Sequence, residues 1–278
     1  MSARLLSVCL LLLIGTAPVH ADQADTLVIG NDLAEIAAQL QATSRLVGRD
    51  DSSHYPPEVA RLPSVGYLRQ LSSEGILSLH PRRVVLSDAA RPAVVLRQLD
   101  TVGVEVIEVP RGKRIADIPR KIEQVAKAFD RETLSPPLVA EQQRLAAELA
   151  ALAPLKGPRA LFIFNRAGMI PLIMGRGTEA HAALEQAGIE NCAPFSAYKQ
   201  VAAEAMVSLA PDFVIISRAG LQALGGEDNL WKLGGLALTP AGQHRRLVQV
   251  DDQALLSLGP RTVAAMLQLR RDAGALFP

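Results

Sequence analysis

The chain has 278 residues, with 29 Lys and Arg against 28 Asp and Glu and no block of basic residues. That balance argues against nucleic acid or an anionic membrane surface as a partner, since both demand concentrated positive charge. At the N-terminus Arg4 precedes the apolar run "LLSVCLLLLIG", which is shorter than the roughly 20 residues needed to span a bilayer. "PVHA" follows, and the pattern predicts a secretory leader (residues 1–21) cut after Ala21, the alternative being an N-terminal anchor. Cys9 lies inside the run rather than at the cut, so no acylated cysteine is expected, and in a Gram-negative cell the mature chain would be a soluble periplasmic protein without stable membrane insertion. Loss of Arg4 leaves 28 basic residues (29 − 1) against 28 acidic ones. Cys192 is then the only cysteine, so no intrachain disulfide is possible and apolar cores must supply the stability.

In chain order, "TLVIG" at 26–30 reads as a strand and "NDLAEIAAQLQA" as a helix, from its apolar spacing. "RLVG" and "VVLS" are further strands, followed by the helical "PAVVLRQLDTVG", the strand "VEVIEV" and the helical "IADIPRKIEQVAKAF". Strands alternating with helices predict a mainly parallel sheet. The pattern breaks at "SPPLVAEQQRLAAELAALAPLKGP", which is rich in helix formers and carries Leu138, Leu145, Leu149 and Leu152 on one stripe. A flexible linker would be rich in Gly and Ser instead. The segment 135–156 is therefore expected to be a stiff helical connector between lobes at 22–134 and 157–278. The second lobe runs through the strand "RALFIF", the helix "TEAHAALEQAG", the strands "DFVIIS" and "RRLVQV", and the closing helix "GPRTVAAMLQLRRDAGALF". The expected fold is α/β: two Rossmann-like lobes, each a mainly parallel sheet flanked by helices, joined by one long rigid helix.

Residues 65–88 and 203–218 repeat at an offset of 130. Glu74 falls on Glu204, Leu79 on Leu209, Pro81 on Pro211 and Ser87 on Ser217. Each copy predicts a short helix, a proline break and a buried strand. Each places a Glu in the helix's first turn, where the helix dipole favours a carboxylate. One such Glu is simply a good N-terminal residue; two in matching places point to a paired, outward-facing role. Only the first copy carries Tyr67-x-Arg69; in "FSAYKQVAAE" Tyr198 stands one position out of register.

The segment "LVGRDDSSHYPPEVARLPSVGYLRQLSSEGILSLHP", above all its "VGY-x-RQLS-x-EGILSL-x-P" core, resembles the periplasmic solute-binding proteins of bacterial haem (heme) ABC importers. These belong to the helix-linked class that also serves ferric siderophores and cobalamin. The resemblance covers essentially the whole mature chain, and "ALEQAGIENC" and "SLGPRTVAAM" are similar to phrases found across the wider class. It implies a monomeric haem carrier without catalysis. Tyr67 would be the axial ligand to ferric iron with Arg69 beside it, Glu74 and Glu204 would dock on the two permease subunits, and the connector would keep lobe motion small.

The chemistry agrees with that implication. A phenolate is a hard anionic ligand that suits Fe(III), and tyrosine is an established haem ligand. Free Tyr has a pKa near 10, so iron and an always-charged Arg nearby must favour the anion. The plain alternative for Tyr67 is an ordinary half-buried tyrosine. In the second lobe Arg218 follows the strand "DFVIIS", at the carboxyl end where open α/β sheets bind ligands, and is either a propionate partner or a solvated loop arginine. "FNRAGM" follows "LFIF" in the same way. Some relatives have a histidine there that ligates a second haem; here Asn165 and Arg166 stand instead, so one haem is expected. Arg166 would face a propionate, and Met169 would pack on the porphyrin or in the core. His54 is a further candidate ligand. A ferric-siderophore or corrinoid carrier is the alternative in the same class; low aromatic content, with Trp231 the only tryptophan, weighs against it. An exported α/β hydrolase is the remote alternative, and the chain has no G-x-S-x-G, P-loop, G-x-G-x-x-G or H-E-x-x-H motif.

Overall fold

The computed structural model describes residues 24–277; the expected leader at 1–21 lies outside them. The first half forms a four-stranded parallel sheet from β1 (Thr26–Ile29), β2 (Leu46–Gly48), β3 (Arg83–Ser87) and β4 (Glu105–Val109), in the order β2-β1-β3-β4. The second half contains β5 (Arg159–Phe164), β6 (Leu172–Met174), β7 (Glu190–Asn191), β8 (Tyr198–Lys199), β9 (Phe213–Ser217) and β10 (Leu247–Val250). Its order is β10-β9-β5-β6-β8, with β7 also on β5. β10, β9, β5 and β7 run parallel, while β6 and β8 add antiparallel pairs at one side. Both halves are thus mainly parallel α/β sheets, as the alternating pattern predicts. The three short strands β6, β7 and β8 have no counterpart in the sequence reading.

The repeat is a repeat of topology. β3 and β9 occupy the same residues at the offset of 130, and each is flanked by two parallel neighbours, β1 and β4 in one case, β5 and β10 in the other. The helices before them, Ser73–Leu77 and Ala203–Leu209, both place their Glu at the second position. Both leave their last turn through a residue of positive φ, His80 at 48° and Ala210 at 45°, and a proline follows each.

The central strands are buried on both faces, and successive residues serve different cores. Leu27, Ile29, Val84 and Leu86 pack with Ile76 and Leu99 on the outer face of the first sheet. Leu161, Ile163, Val214 and Ile216 pack with Met206 and Trp231 on the outer face of the second. Val28, Val85, Phe162, Phe213 and Ile215 face a third core that is continuous through both halves. Helices Ile118–Ala128, Ser135–Ala151 and Thr262–Ala275 carry this core from one sheet to the other. In the 17-residue helix Ser135–Ala151, Leu149 is buried and Leu138 and Leu145 are partly so, as is Leu152 just after it. The same helix donates a hydrogen bond from Gln142 Nε2 to Pro260 O at 2.9 Å. Among the described residues no helix is long and apolar enough to cross a membrane.

Phe162 is 1% exposed at the centre of β5. Phe162→Ala should destabilise the protein by about 3–5 kcal/mol, lost transfer energy plus an unfilled cavity. Denaturant unfolding monitored by circular dichroism measures it.

Candidate functional site

Parallel sheets present their ligands at the carboxyl ends of their strands. Here those ends face one another across a cleft of about 1460 Å³. Asn31 and Asp32 follow β1, Ala89 follows β3 and Arg111 follows β4; opposite them Asn165 and Arg166 follow β5, Ala219 follows β9 and Asp252 follows β10. The volume exceeds the roughly 300–1,000 Å³ of ordinary small-molecule pockets, so the cleft suits a large ligand.

Tyr67 and Arg69 line the first wall with His54. The segment is not a strand. Gly66 turns the chain at φ 92°, a region open to glycine but strained for other residues. Gln70 N then donates to Tyr67 O at 2.7 Å, closing a turn with Leu68 and Arg69 at its centre. This turn carries both side chains to the cleft. Tyr67 is 45% exposed, and among the described residues its hydroxyl has no hydrogen-bond partner.

The run ahead of Tyr67 is organised by a buried carboxylate. Asp50 Oδ1 accepts from Gly30 N at 2.9 Å and Ser53 Oγ at 2.6 Å, and Oδ2 accepts from Ser52 N at 2.9 Å. Asp51 N donates to Gly66 O at 2.9 Å, joining this loop to the Tyr67 turn.

The second wall is aromatic. Phe164 at the end of β5 and Tyr198 in β8 meet edge to face at 6.0 Å, and the Arg166 guanidinium lies 5.1 Å from the Phe164 ring centroid. Tyr198 is 42% exposed and its hydroxyl donates to Glu179 Oε2 at 2.8 Å. Burial and then the Glu179 carboxylate push this phenol well above its ordinary value, so it stays protonated, although Arg111 and Arg69 act in the opposite sense. Burial alone would raise Glu179; its own backbone N–H, the Tyr198 hydroxyl and Arg111 outweigh that and hold it low. Arg111 reaches Glu179 from the first half, with Nη1 donating to Oε1 at 3.1 Å.

Four sequence-expected residues, Tyr67, Arg69, Asn165 and Arg166, therefore line one cleft, together with His54. Asn165 is buried and its Nδ2 donates to Gly220 O at 3.0 Å, tying the end of β5 to the helix Arg218–Ala223. Arg218 and Met169 are exposed and do not line the cleft; Arg218 opens its helix while its neighbours Ser217 and Ala219 face inward. Glu74 and Glu204 lie outside the cleft, both exposed. Tyr198, which the repeat places one position out of register with Tyr67, lines the same cleft from the edge strand β8. The rule that singled out Arg166 and Arg218, a position just past a strand, also marks Arg111 after "VEVIEV".

Two α/β halves with facing carboxyl edges, one bridging helix and a preformed cleft define a solute-binding protein. The chain belongs to the periplasmic binding protein family, whose model matches residues 27–254. It is similar in structure to the periplasmic haem-binding protein BhuT in complex with two haems, with 37% identity, 91% of this chain and 99% of that one covered, and a TM-score of 0.83. The periplasmic haem-binding protein RhuT from Roseiflexus sp. RS-1, in apo form, matches at 32% identity with the same coverage and a TM-score of 0.81. HutB, the periplasmic haem-binding protein of Vibrio cholerae, matches at 29% identity over 92% of this chain and all (100%) of that one, with a TM-score of 0.78. No curated protein sequence matches the chain.

Asp252 faces the cleft, and its carboxyl is raised by burial, with Arg166 opposing. The charged form is the one disfavoured, so wild-type stability falls as pH rises through the raised value. Asp252→Asn should melt higher than wild type at neutral pH, by up to about 3 °C, with the difference vanishing once Asp252 is protonated at low pH. Thermal melts across pH measure both ends.

Proposed function

We propose that this protein binds ferric haem in the cleft and delivers it to an inner-membrane ABC importer, after export to the periplasm and removal of the leader at Ala21. The observation that carries the reading is the Tyr67 hydroxyl, held on a turn at the cleft wall without a hydrogen-bond partner among the described residues. It is free to meet a metal. An iron centre would hold it as the phenolate, and Arg69, two residues on, adds a cation on the same wall. Arg166, stacked on Phe164 opposite, is placed for a propionate. Asn165 supports that wall from behind. Arg218 and Met169 stand outside this set.

We assign one haem per chain, ligated by Tyr67. Tyr198 is engaged by Glu179 and kept protonated, which disfavours it as a second phenolate ligand. The lobes are residues 22–134 and 157–278, with 135–156 as the connector. Glu74 and Glu204 are the docking points for the two permease subunits: both are exposed at equivalent helix starts, and neither belongs to the cleft.

Titration of the purified protein with haemin, followed by absorbance, should saturate at one equivalent; saturation at two would overturn the count. Tyr67→Ala should alter the Fe(III) spectrum and weaken binding by about tenfold or more, about 1.4 kcal/mol. An unchanged spectrum and affinity would remove Tyr67 as the ligand. Charge reversal at Glu74 or Glu204 should lower haem uptake through the reconstituted importer while leaving haemin affinity unaltered. A parallel fall in affinity would place that Glu in the binding site.

A further inference from the structure

The segment "DDSSHYPP" ahead of the Tyr67 turn contributes His54, Asp51 and Ser52 to the cleft, but its Tyr55 does not line it. Tyr55 instead lies under a guanidinium from the other half of the molecule: Arg261 Cζ stands 3.8 Å from the ring centroid. The same guanidinium binds two further groups. Nε and Nη2 donate to Glu35 Oε2 and Oε1 at 3.0 and 2.6 Å, a fork onto a carboxylate that is 1% exposed. Nη1 donates to Asp251 Oδ2 at 2.7 Å, at the end of β10 and next to the cleft-lining Asp252. Beside this contact Gln253 Nε2 donates to Ser52 O at 3.1 Å, again from one half to the other. The 50–55 loop is therefore strapped to the opposite wall at two points and bonded through Asp51 to Gly66, the residue before Tyr67.

We propose that Arg261, stacked on Tyr55, is a positioning residue for the Tyr67 turn, fixing its distance from the opposite wall and slowing release of the cargo. The proposal rests on the haem reading above for its cargo, and on the strap's own geometry for the rest. Arginine is required because one planar group must fork onto Glu35, reach Asp251 and present a face to a ring; an ammonium cannot do all three. Tyr55 acts through its ring face, so its hydroxyl is dispensable.

The test compares Tyr55→Phe, Tyr55→Ala and Arg261→Lys in the full-length mature protein. Haemin release is timed by transfer to excess apomyoglobin, alongside the Fe(III) spectrum. Tyr55→Ala and Arg261→Lys should release haemin about two- to tenfold faster, while Tyr55→Phe behaves as wild type. Tyr55→Ala keeps the buried Glu35–Arg261 pair intact and so carries the test if Arg261→Lys folds poorly. Wild-type release from Tyr55→Ala, or faster release from Tyr55→Phe, overturns the proposal. Hydrogen exchange of the haem-free variants separates it from the cargo reading: amides of residues 50–56 and 64–67 should exchange faster in Tyr55→Ala. Unchanged exchange overturns the strap whatever the cargo, whereas faster exchange in a protein whose haemin spectrum ignores Tyr67 sinks only the haem reading.

Discussion

The cleft depends on one constraint: the apolar core that faces β1, β3, β5 and β9 is a single body running through both halves. Moving one sheet against the other would expose the apolar surface of three helices at once, at about 25 cal/mol for each Å². Buried polar contacts fix the register across that core. Lys121, 1% exposed, donates to Asp32 Oδ2 at 2.5 Å and to Leu258 O at 3.0 Å, so a first-half helix grips both the floor of the cleft and the second half. Such a pair adds little net stability, because desolvation offsets attraction. The pair lies within the first half; the bonds that reach the second half are those from Lys121 to Leu258 O and from Gln142 to Pro260 O.

The same pairing sets the charge of the cleft. Asp32 is held by Lys121, Glu179 by Arg111 and Asp251 by Arg261, each a carboxylate neutralised by a partner. Among the described residues Arg69 and Arg166 have no carboxylate partner, and they lie on opposite walls. Asp51 and Asp252 also line the cleft without an ion-pair partner among the described residues, but with three of the five acids tied and one open guanidinium on each side the cleft suits a flat, acidic ligand bridging the walls. A chain with 29 basic and 28 acidic residues reveals nothing of this, because the sorting is done by position and not by number.

How much was legible follows the same division. The central strands announce themselves, since "LVI", "VVLS" and "FVIIS" are buried on both faces and must be continuously apolar. β6, β7 and β8 are two or three residues long, and "EN" and "YK" carry no strand signal, so only pairing makes them strands. That is why Tyr198 was visible only as a tyrosine out of register and not as a lining of the cleft: β8 belongs to an addition that the first half lacks. Tyr67 and Arg69 were legible through their motif, but the turn after Gly66 that carries them was not. Arg218 and Arg111 stand one and two residues past their strands, and the spacing that separates an outward from an inward side chain is not visible in the string of letters.

The duplicated β-strand units, each preceded by a short helix with an exposed Glu at its second position, gain a further meaning from the shared core. In this structure their separation is set by the core that joins the two halves. The two carboxylates therefore act as markers fixed one to each half. A partner that touched both would read the spacing of the halves directly, and any movement of one sheet against the other would be a change in that span.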